Sequence, residues 1–116
     1  MAETPDSLLP LPTATFYILM AVSSEDRHGY AIIQDVADLT GGAVKLSAGT
    51  LYRSIQRMLE QSLLIETESA TPESDDERRR YYRITAFGRK VAEAEALRLS
   101  QIVKLAKRSG FAAGKA

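Results

Sequence analysis

The chain contains no cysteine, so neither disulfides nor thiolate metal sites can form, and its single histidine, His28, cannot assemble a histidine metal cluster by itself. A reducing cytoplasm is the expected compartment. No apolar run approaches the roughly 20 residues that span a bilayer, and the opening stretch "MAETPDSLLPLPTATF" is acidic and broken by prolines, unlike a secretory signal. Neither export nor membrane insertion is expected. There is no Ser-His-Asp set, paired-carboxylate cleft, glycine-rich phosphate loop or metal motif, so an enzyme is not expected and no cofactor or metal is implied. Net charge is missing as well: 15 basic and 15 acidic residues cancel. A protein that coats nucleic acid by bulk attraction is thereby disfavoured.

What remains is an ordinary globular composition. The 116 residues are 45% apolar and 26% charged, enough for one domain that buries about two thirds of its unfolded surface. The charges are unevenly placed. Residues 63–77 carry Glu66, Glu68, Glu73, Asp75, Asp76 and Glu77 with no base, whereas residues 78–90 carry Arg78, Arg79, Arg80, Arg83, Arg89 and Lys90 with no acid.

After a proline-rich leader at 1–12, "TATFYILMAV" predicts a core helix over 13–23 with Thr13 as its cap. "SSEDRHG" reads as a polar turn. A second helix begins at His28, with Tyr30, Ile33, Val36, Ala37 and Leu39 returning at helical steps until "TGG" stops it. "AVKL" is a candidate short strand. Ser47 then caps a third helix over 48–61, whose Leu51, Ile55, Met58 and Leu59 form one docking stripe. "LLIETES" and "RRYYRIT" predict an antiparallel hairpin with "ATPESDDE" at its tip. Thr85 caps the longest element, a helix over 86–108.

That last helix carries two apolar stripes, one of Ala92, Ala96, Leu99, Val103 and Ala106, the other of Phe87, Val91, Ala94, Ile102 and Leu105. One domain cannot readily bury both. A second copy of the chain could, which makes Val91, Ala92, Ala96, Leu99, Ile102, Val103 and Ala106 the expected dimer contacts. The resulting fold class is mainly α with a small β-hairpin: a winged helix-turn-helix over 13–85, a dimerisation helix over 86–109 and a flexible tail over 110–116.

In such a fold the third helix enters the major groove and the hairpin flanks it. Ser47, Thr50, Tyr52, Arg53, Ser54 and Arg57 lie at the start or on the arc that the core does not use, and Arg78, Arg79 and Arg80 lie at the return of the hairpin tip. These nine are the expected DNA contacts. Arginine matches guanine O6 and N7 bidentately, though the same residues are equally compatible with a solvated helix face. Strand alternation sends neighbouring arginines to opposite faces. Asp75, Asp76 and Glu77 are expected to pair with these arginines and exchange for phosphate on binding. His28 is read as a capping or surface residue.

"FYILMAV", "HGYAII", "LSAGTLYRSIQRML" and "RRRYYRITAFGRK" together resemble the PadR-type transcriptional regulators over nearly the whole chain. The resemblance implies a bacterial winged-helix homodimer, usually a repressor, on a double-stranded DNA operator, with a small aromatic effector as a further implied partner. Tyr52, Arg53 and the arginines before "YYRIT" are the DNA contacts it implies, while Tyr30 supports helix packing or touches backbone. The chain departs from the pattern at Ser62, where glycine usually ends the third helix, and it lacks the tryptophan that stacks the ligand in drug-binding short members. The effector site is therefore unassigned. Two other functions remain compatible with the residues: a winged-helix protein-interaction module without DNA binding, and a small-molecule sensor or carrier.

Overall fold

A computed structural model describes residues 3–68 and 80–111. The proposed contacts Arg78 and Arg79, the acids Asp75, Asp76 and Glu77, and most of the tail lie outside the described residues.

A 3-10 turn at Pro5–Leu8 is followed by α1 (Thr13–Ala21), β1 (Arg27–His28), α2 (Gly29–Leu39), α3 (Ala48–Glu60), β2 (Leu64–Glu68), β3 (Arg80–Ile84) and α4 (Ala86–Arg108). Helix α1 is apolar all round because it sits between its neighbours: Ile18, Leu19 and Ala21 are buried, and α2, α3 and α4 all pack on it. Ile32 and Val36 of α2, Leu51, Ile55 and Met58 of α3, Leu63, Leu64 and Tyr82 of the hairpin, and Val91 of α4 complete one core. This is a winged helix-turn-helix with a long C-terminal helix.

Two of the expected caps are in place. The Ser47 hydroxyl accepts from the Thr50 N–H at 3.1 Å and the Thr85 hydroxyl from the Gly88 N–H at 2.8 Å, each satisfying an amide that the helix leaves unpaired. Thr13 is not a cap. Helix α1 starts on it, Pro12 holds the N-cap position, and no side chain caps that end.

The sheet has three strands in the order β1-β3-β2, all antiparallel, and "AVKL" is not among them. The third strand comes instead from the supposed polar turn: Arg27 pairs with Tyr82 and His28 with Tyr81. Two residues are too few to carry an alternation pattern, so this strand is defined by its partner rather than by its own composition.

The leader is part of the body. Leu11 is buried, Leu8 and Leu9 pack on the core, and the Leu11 N–H donates to Glu95 Oε2 at 3.3 Å. Glu95 is an acid inside the body: it is 2% exposed. Its carboxylate tolerates that position because Arg98 donates from Nε to Oε1 at 2.6 Å and from Nη2 to Oε2 at 2.9 Å.

Candidate nucleic-acid interface

Helix α3 turns Leu51, Ile55 and Met58 inward, which leaves Tyr52, Arg53, Gln56 and Arg57 exposed and Thr50 and Ser54 half-buried beside them. Ser47 is exposed, but its hydroxyl is engaged in capping and donates to Thr50 Oγ1 at 3.1 Å. Arg53 and Arg57 have no ion-pair partner among the described residues. Two uncompensated guanidinium groups one turn apart on a solvent face can accept phosphate or a base edge.

Tyr52 is half-exposed, and its ring covers Gly29 at the start of α2. A Cβ on Gly29 would lie 2.8 Å from the Tyr52 Cζ, so only glycine lets the two helices approach here. His28 caps that same end of α2, its Nδ1 accepting from the Ala31 N–H at 3.2 Å, and its ring meets Tyr81 edge-on at 5.4 Å. Of the two roles expected for Tyr30, helix packing is not seen, and its exposure leaves contact with backbone open. It is 68% exposed and reaches only Gln34, at 3.4 Å.

The hairpin register decides which wing residues face the core. Leu64 stands opposite Ile84, Glu66 opposite Tyr82 and Glu68 opposite Arg80, so these six side chains share one face of the sheet. Leu64 and Tyr82 bury that face against the core. Arg80 is therefore on the inner side of the wing. It forms an exposed ion pair with Glu66, Nε to Oε2 at 3.5 Å.

The Tyr82 phenol is pushed above its usual pKa by burial first, then by the Glu66 carboxylate and by Tyr52, with Arg80 opposing. The charges of β2 and β3 thus bear on a phenol that is itself buried in the core.

The opposite face of the wing is structural. Arg83 grips Asp26 with two hydrogen bonds, Nε to Oδ1 at 3.1 Å and Nη2 to Oδ2 at 3.0 Å. That grip holds the Asp26 carboxyl below its ordinary range against a smaller opposing effect of burial. Arg89 of α4 donates to the Ser23 carbonyl at 2.7 Å, and Arg27 pairs with Asp35 at 2.7 Å and with Glu25. Sequence reasoning missed these clamps. Their trace in the sequence is slight: "SSEDRH" supplies Asp26 to Arg83, the Ser23 carbonyl to Arg89, and Arg27 to Glu25 and Asp35.

Of the expected dimer contacts, Val91 is corrected: it is fully buried in its own protomer. Ala92 packs on the same core. Leu99, Ile102 and Val103 are exposed by 37, 46 and 41% and form an open stripe, with Ala96 exposed beside them and Ala106 half-buried. Among the described residues no group of acidic or histidine side chains could hold a metal, and no helix is long and apolar enough to cross a membrane.

This arrangement defines a winged-helix protein with a basic face on its third helix. Residues 18–94 match the model of the transcriptional regulator PadR-like family, and the chain belongs to that family. An uncharacterized Lysinibacillus sphaericus protein is 38% identical over 72 residues, a match that covers 62% of this chain and 64% of that relative. Among solved structures, a PadR family transcription regulator from Clostridium difficile superposes with a TM-score of 0.71 at 24% identity, covering 84% of this chain and 97% of that one. A transcriptional regulator from Clostridium thermocellum gives 0.72 at 23%, covering 82 and 87%. Bacillus subtilis PadR in complex with operator DNA gives 0.62 at 13%, covering 73 and 47%. At these identities the structural likeness concerns the fold.

Proposed function

We propose that the chain is a cytoplasmic, homodimeric, sequence-specific DNA-binding regulator, a repressor whose release follows a small-molecule effector or another signal. The observation that carries this reading is the solvent face of α3, where Arg53 and Arg57 stand exposed one turn apart with no ion-pair partner among the described residues. Family membership and the DNA complex of Bacillus subtilis PadR support it.

Thr50, Tyr52, Arg53, Ser54 and Arg57 meet the groove, Arg53 and Arg57 reading bases or phosphates, while Ser47 orients the helix start and Arg80 meets the backbone. Two copies pair through Ala96, Leu99, Ile102, Val103 and Ala106, setting the recognition helices about 34 Å apart on a near-palindromic operator. An effector acts by binding the docked and undocked dimer geometries with different affinity.

The test is a gel shift of the full chain against DNA upstream of its own gene, repeated across salt. Log affinity is expected to fall linearly with log salt, and Arg53→Ala to cost about 1 to 3 kcal/mol of binding. The zero net charge favours a second reading, a protein-interaction module. Salt-independent behaviour with no retarded band would establish that one instead.

A further inference from the structure

We propose that Glu66 is an internal competitor for the phosphate that Arg80 would bind, so that the wing's grip on DNA is set by an exchange between a carboxylate and a backbone phosphate. This deepens the DNA-binding reading and rests on it. The register places Glu66 and Arg80 on one face as diagonal neighbours, with Arg80 Nε 3.5 Å from Glu66 Oε2. That face turns Leu64 and Tyr82 onto the core, and Arg80 stands exposed at its open end. The two side chains are 76 and 44% exposed for Arg80 and Glu66 respectively, and an ion pair this open to water stabilises a fold very little. The contact is thus poorly suited to hold the wing together. It is well suited to be displaced.

The contrast with the other wing arginine supports the assignment. Arg83 makes two hydrogen bonds to Asp26, on the outer face and at a seam between distant segments, so its charge is committed to structure. Among the described residues Arg80 has one long contact, to the Glu66 carboxylate on the adjacent strand. Tyr82 lies directly across from Glu66, and the carboxylate is close enough to raise the phenol's pKa together with Tyr52. Glu66 thus shares one face of the sheet with Arg80 and Tyr82, and its charge bears on both.

The exchange has a defined cost and gain. Binding moves the Arg80 guanidinium from a carboxylate to a phosphate oxygen and leaves Glu66 unpaired beside the DNA backbone, which it repels. Neutralising Glu66 removes both the competitor and the repulsion. Arg80 then has no ion-pair partner among the described residues before binding, so the salt dependence steepens toward one more phosphate contact.

The experiment measures fluorescence anisotropy of the full chain on a labelled mixed-sequence duplex of about 30 base pairs, long enough for two successive major grooves. Glu66→Gln is expected to bind about three- to tenfold tighter at roughly 0.1 M salt, and Glu66→Asp, which keeps the charge, to stay within about twofold of the parent. In an Arg80→Ala background the Glu66→Gln gain should shrink to less than about twofold, because the group it releases is gone. Unchanged or weaker binding by Glu66→Gln overturns the proposal, as does an equal gain in the Arg80→Ala background, which would reduce Glu66 to simple repulsion. If neither the parent nor Glu66→Gln binds any duplex, the DNA-binding reading itself fails and takes this one with it. Parent binding that Arg53→Ala abolishes but Glu66→Gln leaves untouched removes only the exchange.

Discussion

Val91 and Ile102 lie on nearly the same side of α4, about three turns apart, yet one is fully buried and the other 46% exposed. The difference lies in what surrounds each half of the helix. From 86 to 95 the helix docks on α1, the leader and the corner between α3 and β2, with Gly88, Val91 and Glu95 inward. Beyond Glu95 the helix runs on as Leu99, Ile102 and Val103, which the described residues leave 37 to 46% exposed, with Ala106 half-buried beside them. An apolar face continuous with a core, but extending past it, is what a second copy of the chain would complete.

The strongest way to break this comparison is to place one charge in each half. Val91→Asp puts a carboxylate in the core without a partner and is expected to cost more than about 4 kcal/mol, enough to unfold the chain. Val103→Asp should leave the circular dichroism melt of the protomer within about 0.5 kcal/mol of the parent while shifting sedimentation from dimer to monomer. If Val103→Asp unfolds the chain as Val91→Asp does, the two halves are one core. If it sediments as a dimer, the stripe is not the contact.

The halves also show what sequence can and cannot reveal. Periodicity located α3 and α4 because each alternates faces over several turns, and hydroxyl caps marked where both begin. It could not divide the α4 stripes between core and open surface, since Val91 and Val103 are the same residue type and burial depends on which elements reach them. Nor could it find β1, which is defined by β3 alongside it, or the Arg83–Asp26 clamp, which joins segments far apart in the chain. Glu95 did carry a signal: it sits one turn after Val91 on the docking side, with Arg98 three residues on to satisfy it. An acid in an apolar stripe with a base at that spacing reads as a buried pair.

Glu95 marks the boundary between the halves, and its ionisation sharpens the comparison. Arg98's hydrogen bonds hold the carboxyl below the ordinary glutamate range, with burial opposing and the Arg98 charge and Leu11 N–H assisting. A depressed folded-state pKa means that the native state binds protons less readily than the unfolded chain. The stability it confers is complete above about pH 4.5 and is lost as pH falls through the folded value. Glu95→Gln is expected to lower stability by about 1.5 to 3 kcal/mol at neutral pH and to flatten the acid limb of a denaturation-against-pH curve. The dimer constant should move less. An acid limb unchanged by Glu95→Gln would assign the pH dependence to Asp26, whose pKa is also lowered, by Arg83.

The smallest expected effect concerns the seat on which the docked half rests. Gly88 packs so closely on the Leu63 carbonyl that an added methyl would collide with it, and the Thr85 hydroxyl donates to the Ser62 carbonyl at 2.6 Å. Ser62 itself has φ 63°, the left-handed conformation that ends α3, with the Leu63 N–H returning to the Met58 carbonyl at 2.9 Å and the Ser62 N–H to Leu59 at 3.1 Å. Serine thus takes the place usually given to glycine, and the turn keeps the same geometry. Helices α2 and α4 end in the same motif with Gly41 and Gly110 in that position, at φ 61° and 93°. A side chain there costs roughly 1 to 2 kcal/mol in the folded state, partly offset because glycine loses more entropy on folding. Ser62→Gly is therefore expected to raise stability by about 0.5 to 1 kcal/mol in a urea titration. It should leave the dimer constant unchanged, because it relieves only the end of the helix that is already covered. A gain in dimerisation from this substitution would show that the two halves of α4 are mechanically coupled after all.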